Sequence, residues 1–191
     1  MLPEGRPFSA IKDEDLEAMM DLARHAPPGC FVEVGVYQGG SAYCLAEVAR
    51  ERGNTPLYLY DTFTGIPHKS ERDSHAIGDF SDTSLEAVRQ KIPDAIFGVG
   101  VFPDGVSLPS LPISFVHLDV DQYQSHIEAI LALWPRMVPG AIMLLDDYNV
   151  TSCEGAKAAV HELLGNDCLF GTRDGLGKAF VVKGGNDGLD A

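Results

Sequence analysis

Five near-continuous apolar runs, "CFVEVGV", "PLYLYD", "AIFGVGVF", "ISFVHLD" and "AIMLLD", recur along the chain with helix-forming stretches between them. Unbroken apolar strands separated by helices belong to parallel sheets covered on both faces. The first helix is expected over 13–25, where Leu16, Met19, Met20 and Ala23 form one apolar stripe before "PPG" stops it. "SAYCLAEVARERG" is the second, closing on Gly53. "TSLEAVRQKI" is the third, with Thr83 and Glu86 at capping-box spacing. A fourth is expected over 126–137 behind Ser125 and Glu128, and "CEGAKAAVHELLG" is a fifth behind Thr151 and Glu154. The end changes character: "CLFGT", a turn at "RDGLG" and "KAFVVK" predict an antiparallel hairpin. The expected fold is α/β, doubly wound and Rossmann-like, a mostly parallel seven-stranded sheet with an antiparallel C-terminal hairpin.

A chain of 191 residues, 45% hydrophobic and 22% charged, is expected to form a single domain over 1–191 with a sizeable core. Residues 1–29 are its N-terminal helical segment, and the Gly-rich end over 184–191 is expected to fray. From Thr62 to Asp82 the chain is polar and has no helix or strand period. Loops of that length in compact domains are usually functional, so a lid is expected over 62–82. The net charge of -14 repels phosphate backbones and anionic lipid, which excludes nucleic acid and membrane surfaces as expected partners. Cys30, Cys44, Cys153 and Cys168 form no C-x-x-C pair, so reduced, buried thiols are expected. The N-terminus lacks a signal-peptide profile and no run reaches bilayer length, which suggests a cytoplasmic protein. A homodimer stays open.

In open α/β sheets, ligands bind beyond the carboxyl ends of the strands. At the first tip, "EVGVYQGGS" places Gly35, Gly39 and Gly40 in a turn that allows close approach of a ligand, but its spacing departs from the dinucleotide fingerprint. Glu33 near that tip would repel a pyrophosphate and suits an amino group or sulfonium. Asp61 ends the second strand, placed to accept both ribose hydroxyls of a nucleoside. Together these features describe a cationic adenosine-type ligand, which fits S-adenosylmethionine.

Asp119 and Asp121 end the fourth strand at i and i+2, which puts them on one side of an extended chain. Asp146 and Asp147 end the fifth strand, and a right-handed crossover brings both tips to one sheet edge. Helix capping is the ordinary duty of such aspartates, but Ser125 and Thr151 offer caps of their own. Four converging carboxylates predict a hard cation, Mg²⁺ before Mn²⁺ or Ca²⁺. His75 and His68 fall in the expected lid, where either could act as a base over a substrate. His117, within a strand, reads as packed core, as do Trp134 and Met137.

The stretches "VEVGVYQGGSA", "YDTFTGIP", "HLDVDQYQS", "MVPGAIMLLDDY" and "GAKAAV" resemble macrocin O-methyltransferase-like enzymes, class I, metal-dependent sugar O-methyltransferases of natural product biosynthesis. The resemblance runs from Phe31 to Lys183. It implies the class I methyltransferase fold, Mg²⁺ on Asp119, Asp146 and Asp147, and Asp121 as general base. It also implies S-adenosylmethionine held by Glu33, the loop Gly35, Val36, Tyr37, Gly39, Gly40 and Ser41, by Asp61, Thr62 and Asp119, and by Gly100, Val101 and Phe102 near the adenine. The metal-site logic is similar to that of catechol O-methyltransferases, although Gln122 stands where that family has a catalytic lysine. The implied reaction is methyl transfer to a hydroxyl of a small-molecule acceptor, a sugar or other vicinal diol, or a catechol-like ring. Two rivals stand beside it. A metal-dependent nucleotide-sugar glycosyltransferase would use Asp119 and Asp121 as its D-x-D pair, but leaves Glu33 and the second pair idle. A non-catalytic nucleoside-binding module would bind cofactor without metal or turnover.

Overall fold

The structure, a computed structural model, describes residues 1–165, 169–171 and 178–184. Its sheet has seven strands: β1 (Cys30–Val34), β2 (Leu57–Asp61), β3 (Ile96–Val99), β4 (Ile113–Leu118), β5 (Met137–Leu145), β6 (Leu169–Gly171) and β7 (Ala179–Val182). The spatial order is β3-β2-β1-β4-β5-β7-β6. β1 to β5 run parallel, and β7 joins β5 and β6 antiparallel. The order reverses between β1 and β4, the switch point at which open sheets of this kind bind ligands.

Helices α1 (Asp13–His25) and α2 (Gly40–Glu51) cover one face, and α4 (Tyr123–Leu133) and α5 (Glu154–Leu164) the other; α3 (Leu85–Lys91) lies between β2 and β3. Burial follows the period-2 rule of a strand. Phe31 packs with Leu16, Met19 and Leu45, while Val32 and Val34 pack with Ile130, Leu133 and Trp134. β1 and β4 are buried along their whole length, as a strand covered on both faces requires.

All three expected capping boxes are corrected. Ser84, not Thr83, caps α3 by accepting the Ala87 N–H at 3.3 Å, whereas the Thr83 hydroxyl donates to the Tyr37 carbonyl. Ser125 lies inside α4, which starts at Tyr123 and ends at Leu133; a 3-10 turn over Trp134–Arg136 then leads into β5. Thr151 opens a 3-10 turn, and α5 begins only at Glu154. The first N–H of α4 is instead satisfied from a distance, by the Asp73 carboxylate at 2.9 Å.

Residues 62–82 contain no helix or strand. They fold back on themselves, with the Ile66 N–H on the Asp79 carbonyl at 2.9 Å and the Gly78 N–H on the Ile66 carbonyl at 3.0 Å. Cys30, Cys44 and Cys153 are free and buried, in accord with the expected reduced thiols. Cys168, the expected turn over 173–177 and residues 185–191 of the expected tail lie outside the described residues. Among the described residues, no helix is long and apolar enough to cross a membrane.

Candidate functional site

A cleft of about 280 Å³ opens at the carboxyl ends of β1, β2, β4 and β5. One half is built from the β1 and β2 tips. Gly35 turns at φ +89, so close to β4 that a Cβ there would stand 1.6 Å from the Asp119 carbonyl oxygen. Only glycine lets the two parallel strands meet at this point. Asp61 closes the turn: its Oδ2 accepts the Val36 and Tyr37 N–H groups at 2.7 and 2.9 Å, and its Oδ1 accepts the Phe63 N–H at 2.6 Å. Three of its roughly four acceptor positions are therefore filled by backbone. Opposite, the Tyr60 and Phe102 rings pack at 4.8 Å, inclined by 60°, and with Gly100 and Val101 make an apolar wall.

The other half is built from the β4 and β5 tips. Asp119, Asp121, Asp146 and Asp147 all line the cleft. Asp121 adopts a left-handed φ of +58, held by its own N–H donating to Asp147 Oδ2 at 2.7 Å. Burial, and then the charges of Asp146 and Asp147, push the Asp119 carboxyl well above its ordinary value. Burial and Asp147 push Asp121 up to about 8. Asp147 is likewise raised by burial, with His126 at 3.7 Å opposing.

Asp146 behaves differently. Burial would raise it, but His117 and Lys178 outweigh burial and hold it below its ordinary value. Its Oδ2 accepts from Lys178 Nζ, and its Oδ1 lies 3.5 Å from His117 Nε2. The other ring nitrogen of His117 meets Glu33 Oε1 at 3.0 Å, and Ser41 donates to the same oxygen. Burial alone would lower His117, but Asp146 and Glu33 raise it to about 10. A chain of charges thus runs from Lys178 through Asp146 and His117 to Glu33.

Some of the expected positions lie back from the cleft. Glu33 is fully buried and faces His117 and Ser41 across the α2 side of the sheet, so its carboxylate does not reach the cleft. Gly39 and Gly40 serve packing: a Cβ would meet the Val88 side chain at 3.0 Å and the Phe8 carbonyl at 2.6 Å, respectively. Val36 enters only through its N–H, and Ser41 only through Glu33. Gly35, Tyr37, Asp61, Thr62, Gly100, Val101 and Phe102 do line the cleft. His117 is buried as expected, but as the bridge between two carboxylates. His75 comes to 3.8 Å from Asp121, whereas His68 lies by Glu128 at 3.6 Å.

Lys178 and His126 were missed by sequence reasoning. The Lys178 signal was present: antiparallel pairing of Leu145 with Ala179, extended by one residue, sets Asp146 opposite Lys178. His126 carried no such mark, since a histidine on a helix reads the same whether it faces core or solvent.

The residues present fit a divalent cation. Carboxylate oxygens of Asp119 and Asp146 lie within 4.8 Å of one another, with His117 beside them already paired to Asp146 and Glu33. The raised Asp119 carboxyl is the mark of negative charge that a cation would neutralise.

A family model described as macrocin-O-methyltransferase (TylF) matches residues 13–165. The chain is 33% identical over 159 residues to the 8-demethyl-8-(2,3-dimethoxy-alpha-L-rhamnosyl)-tetracenomycin-C 4'-O-methyltransferase of Streptomyces olivaceus, covering 72% of this chain and 59% of that one. It is 26% identical over 161 residues to the mycinamicin III 3''-O-methyltransferase of Micromonospora griseorubida, covering 73% and 61%. The chain thus spans about three fifths of the length of these relatives. The O-methyltransferase NovP superposes with a TM-score of 0.78 at 21% identity, covering 92% of this chain and 82% of that one. A calicheamicin methyltransferase superposes with a TM-score of 0.77 at 19% identity, covering 87% and 76%. At those identities the superpositions show the fold alone. By the model that matches its residues 13–165, the chain belongs to the macrocin O-methyltransferase family.

Proposed function

We propose that this chain transfers the methyl group of S-adenosylmethionine to a hydroxyl of a small-molecule acceptor, a sugar or other vicinal diol. The observation that carries the reading is one cleft with two unlike halves: an apolar wall beside Asp61, and four carboxylates at the neighbouring strand tips. Tyr60, Phe102 and Val101 suit an adenine face, and the acceptor position left on Asp61 suits a ribose hydroxyl. A relative whose name carries a rhamnosyl group on its acceptor supports the acceptor class. The net charge of -14 argues for a small acceptor over nucleic acid.

Asp119, Asp146 and Asp147 would hold a hard divalent cation, Mg²⁺ first, which lowers the pKa of an acceptor hydroxyl beside it. Asp121 takes the hydroxyl proton while the carbon–sulfur bond of the donor breaks and the new carbon–oxygen bond forms. His75, 3.8 Å from Asp121 Oδ1, supports that carboxylate from the 62–82 segment. Phe80 and Ile66 of the same segment line the cleft and exclude water from it.

The test is a labelled-methyl assay against a panel of diols with added Mg²⁺, run beside melting curves. S-adenosylmethionine is expected to raise the melting temperature by mass action, and NAD⁺ or a UDP-sugar to leave it unchanged. Equal stabilisation by either of those would sink the reading.

A further inference from the structure

A second set of donors meets at Asp121, apart from the three carboxylates assigned to the hard cation. His75 Nε2 lies 3.8 Å from Asp121 Oδ1, and Cys153 Sγ lies 3.7 Å from the same oxygen. The three donor atoms are all within 4.8 Å of one another. Tetrahedral ligands bound at about 2.0–2.3 Å stand roughly 3.3–3.8 Å apart, so small side-chain movements would close this set on one ion.

The outer partners fit as well. The remaining ring nitrogen of His75, Nδ1, faces Asp79 Oδ2 at 3.6 Å. A carboxylate on the far nitrogen is the arrangement that fixes a metal-binding histidine in tautomer and orientation. The Asp121 backbone is pinned by Asp147, and Cys153 is buried at the turn before α5, so two of the three ligands stand on fixed chain. Asp121 lines the cleft, so a fourth coordination position would open to it.

We propose that His75, Asp121 and Cys153 form a second metal site, selective for Zn²⁺ or a similarly thiophilic divalent ion, distinct from the oxygen-rich site of Asp119, Asp146 and Asp147. One nitrogen, one oxygen and one sulfur ligand suit Zn²⁺ and disfavour Mg²⁺. On binding, the thiol S–H bond breaks, a metal–sulfur bond forms, and the proton leaves to solvent. The site takes up Asp121, so its occupation would block methyl transfer. That inhibition rests on the proposed function; the binding does not.

Co²⁺ is the probe, titrated into the full chain with Mg²⁺ in excess. A thiolate ligand gives Co²⁺ an intense near-ultraviolet charge-transfer band that an oxygen-only site lacks. One equivalent is expected to develop this band, and Zn²⁺ to abolish it by displacement. Cys153→Ser should remove the band, and Asp119→Asn should keep it. His75→Ala, in a segment without helix or strand, should weaken Co²⁺ binding by about tenfold or more, the scale seen even for losing outer-shell partners. The proposal is overturned by saturation without the band, by a band that survives Cys153→Ser, or by unchanged affinity in His75→Ala. In the methyl-transfer assay Zn²⁺ should inhibit and excess Mg²⁺ should not relieve it. Turnover read in Mg²⁺ alone separates the two: a Co²⁺ band in a protein with no methyl transfer in Mg²⁺ alone would sink the functional reading and leave the metal site standing, and methyl transfer in Mg²⁺ alone without a Co²⁺ band would do the reverse.

Discussion

The two halves of the cleft solve the same problem, an aspartate at a strand tip, in opposite ways. Asp61 is surrounded by backbone: three N–H groups converge on it and, among the described residues, no other carboxylate lines its side of the cleft. Asp119 and Asp121 are surrounded by other carboxylates, which with burial push them upward. The first half is finished by the chain itself. The second is satisfied in part, where His117 and Lys178 reach Asp146 and the Asp121 N–H reaches Asp147, and its crowded carboxyls leave room for a cation that the chain does not supply. A carboxylate preorganised by backbone N–H groups, with one acceptor position left, suits a cofactor that must enter and leave each turnover. Crowded carboxylates suit an ion that stays.

The sharpest break in this comparison is Asp121→Asn. If Asp121 takes the proton, turnover should fall by about 10²- to 10⁴-fold, the usual scale for losing a general base, while Mg²⁺ affinity stays nearly intact. Asp119→Asn should do the opposite, weakening Mg²⁺ binding and recovering part of its rate at high metal. Isothermal titration with Mg²⁺ beside steady-state rates separates the two. Rescue of Asp121→Asn by excess Mg²⁺ would make Asp121 a ligand and leave His75 as the base.

Next in size is Gly35→Ala, which attacks the seam between the halves. The new Cβ would meet the Asp119 carbonyl at a backbone angle that side chains rarely adopt. A loss of about 3–5 kcal/mol is expected from overlap and strain together, which lowers the melting temperature by roughly 10 °C in a chain of this size. A variant as stable as the parent would mean that β1 and β4 can part here at little cost.

The parallel sheet was legible because strands buried on both faces leave unbroken apolar runs, and the four cleft aspartates because each pair ends such a run. The caps were not. Thr83, Ser125 and Thr151 carry the local pattern, but the first N–H of α4 is taken by Asp73, fifty residues earlier in the chain. No local spacing encodes a tertiary cap. The direction of Glu33 was not legible for a related reason: strand alternation allows two directions for a polar side chain, and only its in-register neighbour His117 shows which one is taken. Two isolated polar residues at matching depth in adjacent buried strands were the available signal.

Asp61→Ala tests the finished half. Its carboxylate both shapes the Val36–Tyr37 turn and, in the proposed function, accepts a ribose hydroxyl. S-adenosylmethionine binding should weaken by about 1.5–3 kcal/mol, the scale of a charge-assisted hydrogen bond and the order that it imposes. Titration calorimetry would read it. Unchanged affinity would confine Asp61 to holding the turn.

The smallest expected effect concerns the segment that spans both halves. Asp73 accepts the Ser70 N–H at 2.7 Å and the Tyr123 N–H at 2.9 Å, and a Cβ on Gly155 would fall 2.6 Å from it. One carboxylate of the 62–82 segment therefore stands at the starts of both α4 and α5, where free N–H groups and helix dipoles favour negative charge. Arg72 stacks over the Tyr123 ring at 4.6 Å beside it. This end is clamped to the carboxylate half, whereas the other end reaches the glycine turn through Asp82, which accepts from the Tyr37 hydroxyl at 2.9 Å. If the segment works as a lid, it should open from the clamp only at a cost near that of a helix cap. Asp73→Ala should remove about 1–2 kcal/mol of that cost and speed amide exchange across 66–79 by about tenfold, with core strands β1 and β4 unchanged. Saturating S-adenosylmethionine should slow exchange again in both proteins. Equal protection in Asp73→Ala and the parent would show that the segment is held by its own Ile66–Gly78 bonds rather than by its attachment to the helices.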